Sequence, residues 1–299
     1  MKQWLNKARK GLSRFFLVAV LKAIGGTAHL LPYRVALKAG VGAGKLAFYL
    51  LPRERRRALA HLTESFPERD ARWVQATARR TFTHLGKALF EVILMNPSRS
   101  KALVTFEGLE NLESALAFGK GVIYVTGHIG NWELMAGTVS QIAPVTGIGA
   151  PLEPEELNKM IVGLRSKMGA TMIVRGRPGA TRELIRVFRE NRVLGILMDQ
   201  DTDVEGAFVD FFGRPAWTPT AAAQMANKFG APVVFGYTHR CSENRHRIII
   251  EGPLSLSKTG NDDEDARVNT ALFTKLLEQA ILKQPEQWVW MHRRWRRKP

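Results

Sequence analysis

The sequence predicts an α/β fold, a mixed and largely parallel sheet flanked by helices and preceded by a helical, membrane-associating N-terminal region. Three observations carry that expectation. From residue 101 onward, short apolar runs rich in β-branched residues alternate with helical stretches, the pattern of a largely parallel sheet. Residues 32–97 keep helical periodicity with little strand character. The first 31 residues are basic, then apolar.

Taken in order, "MKQWLNKARKGLSR" is basic and carries Trp4, and "FFLVAVLKAIGGTAHLLPY" follows it with Lys22 and a Gly-Gly pair inside. That apolar stretch is short against the roughly 20 apolar residues of a membrane span. No small-x-small cleavage site follows it. A basic, aromatic-flanked apolar helix is expected to lie in or dip into the membrane interface, and spanning stays open as the alternative. Residues 1–31 therefore read as a membrane-associating segment and residues 32–299 as one domain, helical over 32–97 with its core over 101–299.

Within the helical part, "GVGAGK" at 40–45 has the wrong spacing for a phosphate loop, and no Ser or Thr follows Lys45. Small residues for close helix packing are the expectation there. Pro52 opens the next helix, and "ERDARWVQATARRTFTHLGKALFEVIL" supplies a long one. Strands are expected at "GVIYVT", "APVTGIGAP", "TMIVRG", "VLGILMDQ", "APVVFGYTHR" and "HRIIIEGPL", with helices at 153–168, 178–191 and 218–229. Thr218 as cap, Pro219 in the first turn and Gly230 as stop punctuate the last of these.

Composition bounds the chemistry. Forty-four Lys and Arg against 27 Asp and Glu give +17, which attracts anionic lipid, phosphorylated substrates, acidic proteins or nucleic acid alike. A single cysteine, Cys241, excludes an intramolecular disulfide and a cysteine-rich zinc site. No G-x-S-x-G elbow is present, which argues against a serine esterase. "WVWMHRRWRRKP" interleaves aromatics and arginines as single-strand binders do, but nucleic-acid binding leaves the features below unexplained.

The chemistry-bearing stretch is "GVIYVTGHIGNWELMAG", 121–137, where a buried strand runs out into a turn holding His128 and Glu133. On an ideal helix five residues turn the chain by about 140°, so the two would not share a face. If Asn131 caps a helix starting at Trp132, however, Glu133 sits in the first turn, where the dipole favours a carboxylate. From there it could accept from one ring nitrogen of His128 and leave the other as a base. A second cluster, "LGILMDQDTDVEGAFVDFFGRPAWTPT", leaves another strand end. Asp199, Asp201, Asp203 and Asp210 fall at calcium-loop positions, but Val204 stands where that loop needs glycine and a strand leads in. Ligands of open α/β sheets gather at the carboxyl ends of strands, so both clusters are placed to share a site. Arg165, before the next strand, is a candidate for an oxyanion or a substrate phosphate.

"GHIGNWE", "MDQD", "FFGRPA" and the ending "PEQWVWMHRRWRRKP", in this order, resemble the bacterial lipid A biosynthesis acyltransferases within the wider His-x4-Asp/Glu glycerolipid acyltransferase group. "LLPYRVAL" and "RRRALAHLTESFPE" extend the similarity across the chain. Two departures are His61, where the family usually has asparagine, and the short N-terminal apolar stretch with Lys22. The resemblance implies transfer of a fatty acyl chain from acyl carrier protein to a hydroxyl of a lipid A precursor at the cytoplasmic face of a bacterial inner membrane. No metal, other cofactor or nucleic acid is implied. His128 is then the general base and Glu133 its orienting acid. Asn131, Arg165, Asp199, Gln200, Asp201, Gly213 and Arg240 are expected to bind substrate, with Asp199 and Asp201 as holders of glucosamine hydroxyls. Trp288, Trp290 and Trp295 are expected in a core edge or membrane belt.

Overall fold

The computed structural model describes residues 25–151 and 154–299. The first part is helical, as its periodicity demands: α1 (Tyr33–Leu50), α2 (Pro52–Ser65) and α3 (Ala71–Leu94). Pro52 starts α2, and the Asp70 side chain caps α3 by accepting from Trp73 N. The "GVGAGK" stretch lies inside α1 and does what small residues do. A Cβ on Gly40 would stand 2.7 Å from Gly86 O of α3, and one on Gly44 2.3 Å from Phe82 O, so the two helices touch backbone to backbone.

The rest alternates: α4 (Pro97–Leu103), β1 (Val104–Glu107), α5 (Leu109–Leu116), β2 (Val122–Thr126), α6 (Trp132–Val139), β3 (Val145–Gly149), α7 (Glu155–Lys167), β4 (Thr171–Val174), α8 (Ala180–Arg189), β5 (Val193–Leu197), β6 (Gly206–Phe211), β7 (Arg214–Pro219), α9 (Ala221–Phe229), β8 (Val233–Arg240), β9 (His246–Glu251) and α10 (Asp262–Lys283). Seven strands form one sheet in the order β1-β9-β8-β2-β5-β3-β4, every pairing parallel except β8 with β9. All six expected strands are in it. The sheet is buried on both faces, which is why β2 is apolar without alternation. Its Ile123 and Val125 join a core under α9 and α10, while Val122 and Tyr124 join a second core under α5 and α6.

Two readings need correction. The helix expected from Thr218 begins at Ala221, because Thr218 and Pro219 finish β7. Residues 206–219 form an antiparallel hairpin, β6–β7, to which the sequence reading assigned no strands. Its turn is Phe212-Gly213, with φ of +55° and +69°. Two successive positive φ values define the hairpin turn that follows the strand twist. Phe212 accepts the strained position because its backbone N–H donates to Glu278 at 2.5 Å and its ring packs on Phe66, Phe211 and Trp290.

Most of the expected membrane-associating segment, residues 1–24, lies outside the described residues. Among the described residues no single helix is long and apolar enough to cross a membrane; α1 and α2 together reach that length but are bent by 91°.

Candidate active site

Strand register builds the site. β2 and β5 are parallel neighbours, paired Thr126 to Leu197, so residues two beyond each strand end arrive side by side. Those residues are His128 and Asp199. His128 Nδ1–H donates to Asp199 Oδ1 at 2.7 Å, and the His128 backbone N–H donates to Asp199 Oδ2, also at 2.7 Å. A third donor, Trp288 Nε1–H, reaches the same Oδ2 at 2.7 Å from the C-terminal segment. The Asp199 side chain is completely buried whereas His128 keeps 19% exposure, so only the histidine is accessible. Burial alone would push the Asp199 carboxyl up. The His128 charge and hydrogen bonds outweigh it and hold this acid well below the ordinary carboxylate range.

Glu133 stands where its sequence position predicts, in the first turn of α6, and Asn131 is the cap, accepting from Leu134 N. Its partner differs from the expectation. Glu133 is held by Arg165 of α7, whose Nε–H and NH2 group donate to its two oxygens at 2.7 and 2.5 Å. The reason is geometric. His128 leaves β2 toward β5, and the planar guanidinium on α7 matches the Glu133 carboxylate in a fork. Asp199, expected on a sugar hydroxyl, is the acid that orients His128.

His128, Glu133 and Arg165 border one cavity of about 560 Å3, which Trp132 and Gln200 also line. The rest of the lining includes apolar side chains: Met135, Val139, Val145, Val162, Met172 and Val193. The paired Gly147 and Gly195, on β3 and β5, also line it, and Met172 Sδ packs so close to Gly147 that a Cβ there would stand 2.6 Å away. A Cβ on Gly195 would lie 3.9 Å from Val145, at ordinary contact.

The other expected substrate contacts are placed elsewhere. Asn131 is 2% exposed, and its amide is spent on the cap and on a 2.9 Å bond to Glu91. Arg240 is buried with Glu91 in a forked pair. Asp201 accepts from Arg297 N at 2.7 Å and, with Asp203, pairs with Arg296 and Arg297. Gly213 is the hairpin turn, with no atom within 4 Å of a Cβ position. None of these four lines the cavity. The acidic run also does not converge as a calcium loop would: Asp199 faces His128, Asp201 and Asp203 face the C-terminal arginines, and Asp210 bonds Gly213 N. His128, Asp199 and His292 offer ligand atoms within 4.8 Å of one another, but three N–H groups already claim the Asp199 oxygens.

The loop carrying His128 is gripped from behind. Gly130, at φ +62°, is 1.8 Å from Thr238 O at its Cβ position, a place only glycine fills. Its N–H donates to Gln287 O at 2.8 Å, and its carbonyl accepts from His84 Nε2–H at 3.0 Å. Glu91 accepts from Asn131, Arg240 and His246, and Glu91 and His246 side chains are both fully buried. Burial would raise the Glu91 pKa, but the His246 and Arg240 contacts bring it down to about 2.

The sequence reading missed Trp288 and His292. Trp288 and Trp290 are fully buried core, as the core-edge reading has it, but Trp288 also touches the acid. The C-terminal segment is drawn in by α2: His61 Nδ1–H donates to Trp290 O at 2.8 Å and Arg57 to Met291 O at 2.9 Å. His61, the departure from the family pattern, thus has a structural partner.

Comparison with known proteins agrees with this architecture. The family model described as bacterial lipid A biosynthesis acyltransferase matches residues 3–297. The lipid A biosynthesis lauroyltransferase of Escherichia coli is 26% identical over 90% of this chain and 88% of its own. The palmitoleoyltransferase of the same organism is 24% identical over 90% and 87%. A phosphatidylinositol mannoside acyltransferase of Mycobacterium tuberculosis is 29% identical over 63% of this chain and 58% of its own.

Proposed function

The chain belongs to the bacterial lipid A biosynthesis acyltransferase family, and from that premise we propose that it moves a fatty acyl chain from an acyl carrier protein thioester to a hydroxyl of a lipid A precursor. The observation that carries the reading is the His128–Asp199 bond. It commits Nδ1 to the acid and leaves Nε2 as the nitrogen for a proton, on a residue that lines a largely apolar cavity.

In this reading His128 Nε2 takes the proton of the acceptor hydroxyl as its oxygen attacks the thioester carbonyl. The C–O bond forms, the carbonyl pair moves onto oxygen, and its return expels the thiol sulfur, which takes the proton from the imidazolium. Asp199 fixes the tautomer and stabilises that imidazolium, the task of the acid in a triad. The acceptor is itself the nucleophile, so no acyl-enzyme intervenes. Glu133 positions Arg165 at the cavity, and Arg165 meets the developing oxyanion. The acyl chain lies along Met135, Val139, Val145 and Val193, over the glycine pair.

The charge of +17 suits an acidic carrier and a phosphorylated acceptor. A lipid substrate is supported too by an apolar row on α1, where Leu46, Tyr49 and Leu50 are 58, 60 and 65% exposed beside the arginines that open α2. We place the protein at the cytoplasmic face of the inner membrane for these reasons. A second reading, another glycolipid acceptor, is favoured by the mannoside acyltransferase relative. Mass spectrometry of lipids from cells lacking this protein, then regaining it or its His128→Ala form, tests both. One acyl mass returns to lipid A with the wild type and none with His128→Ala; return to another glycolipid selects the second reading.

A further inference from the structure

The free nitrogen of His128 is not bare. Gln200 Nε2 stands 3.3 Å from His128 Nε2, and the same amide nitrogen stands 3.1 Å from His292 Nε2. The two imidazole rings lie 4.8 Å apart at 88°, edge against face, and the amide nitrogen reaches a ring nitrogen of each. In the neutral form that a general base requires, with Nδ1–H on Asp199, His128 Nε2 carries a lone pair, so the atom facing it is an N–H donor. This fixes the amide with its NH2 group toward both rings. His292 is suited to accept the second proton, since burial and the neighbouring His128 press its pKa down to about 3 and keep it neutral.

We infer that Gln200 and His292 form the subsite for the acceptor hydroxyl: Gln200 holds the attacking oxygen, and His292 holds Gln200. This rests on the general-base reading above. When an alcohol enters, its proton goes to His128 Nε2 and its oxygen accepts the amide N–H that His128 releases. Gln200 makes and breaks no covalent bond. His292 retains the other amide proton and so prevents the amide from turning its carbonyl oxygen to the alcohol, where it would compete with the base for the proton. His292 is a positioning residue. Its own place is set by the segment that Trp288 and Trp290 bury, and by its N–H to Val289 O at 3.2 Å.

The distinguishing property is the choice between alcohol and water. Water is small and reaches the base in many orientations, whereas one hydroxyl of a bulky lipid needs a fixed hydrogen-bond partner. Losing that bond therefore costs transfer more than hydrolysis, by about tenfold for one hydrogen bond. The experiment uses the purified full chain, an acyl carrier thioester and detergent-dispersed lipid A precursor, and follows ester formation and free fatty acid together. Gln200→Ala and His292→Ala are each expected to lower the ratio of transfer to hydrolysis about tenfold, with the thioester KM unmoved. His292→Asn, which keeps a neutral acceptor, is expected to recover most of the ratio. An unchanged ratio in a folded Gln200→Ala protein overturns the subsite, as does a His292→Asn ratio as low as that of His292→Ala. Should His292→Ala fail to fold, the Gln200→Ala ratio and the His292→Asn ratio decide alone. His128→Ala in the same assay separates the two readings. If it keeps both rates, the general base is wrong; if it is inactive and the Gln200→Ala ratio is wild type, only the subsite is wrong.

Discussion

Two buried carboxylates hold the same loop. Asp199 grips His128 from the sheet side, and Glu91 grips Asn131 from α3. Both accept several N–H donors, and both are driven below their ordinary pKa by neighbouring positive charge against the opposing effect of burial. They differ in what the partner does next. Every group around Glu91 is closed in: Arg240 keeps 8% of its side-chain exposure and His246 none. Asp199 holds a histidine that lines a cavity and whose far nitrogen meets an exchangeable amide, that of Gln200. A strongly shifted acid therefore marks a cost met by structure; reactivity needs a partner with one exchangeable end.

The sharpest way to break the comparison is to remove each charge in turn. Asp199→Asn keeps the shape but frees the His128 tautomer and weakens the bonds to three N–H donors, so stability falls and kcat per folded molecule should fall by about 10⁴. Steady-state kinetics beside a thermal melt measures both, and a large loss of Tm with kcat intact would exchange the roles of the two acids. Glu91→Gln should act mainly on stability. It leaves Arg240 buried without its counter-charge, at about 3–5 kcal/mol of stability, and kcat per folded molecule should fall far less than in Asp199→Asn. Denaturant unfolding gives the first quantity and active-site-normalised rates the second.

Next in size is Arg165→Ala. If Arg165 meets the oxyanion, kcat falls by about 10²–10³. A rise in KM for the acceptor with kcat unchanged would instead assign it to a ground-state phosphate. Glu133→Gln is expected to fall between wild type and Arg165→Ala, since the guanidinium stays but loses its anchor.

The smallest effect is in acid. His84, fully buried behind the loop, is pressed from 6.5 to about 3, chiefly by burial. Between those values the unfolded chain binds a proton that the folded chain refuses, so stability falls as pH falls below 6.5. His292 acts in the same window and direction. Glu91, lowered from 4.5 to about 2, adds its share only below pH 4.5. Its contribution is present above 4.5 and lost on the way down to 2. Melting temperatures from pH 7 to pH 3 should therefore decline in two stages, and His84→Gln should flatten the upper one. A level curve from 6.5 to 4.5 would contradict the burial of a neutral imidazole.

Much of this was legible in the sequence because it is local. The Asn131 cap, the helix starting at Trp132 and the Gly-rich contact of α1 all follow from neighbours in the chain. Glu133 misled for the same reason: it is the nearest acid in sequence. Asp199 is 71 residues away from His128, and only the adjacency of β2 and β5 brings them together. Nothing in the local pattern of "GHIGNWE" encodes such a pairing, because register between distant strands is set by the whole sheet. The C-terminal segment hid His292 similarly, being irregular chain whose aromatic residues read as core. The β6–β7 hairpin escaped because Phe212-Gly213 is not among the usual turn pairs, and tertiary packing supports it.

The glycine contact between α1 and α3 has a mechanical consequence. Where side chains separate two helices, a push on one is absorbed by rotamers before the other feels it. Gly40, Gly44 and Gly86 leave no such slack, because carbonyl oxygens already fill the positions a Cβ would take. α3 in turn carries His84 and Glu91, which hold Gly130 and Asn131. A displacement of α1 by whatever it rests on is thus passed, almost undamped, along a stiff rod to the loop of His128.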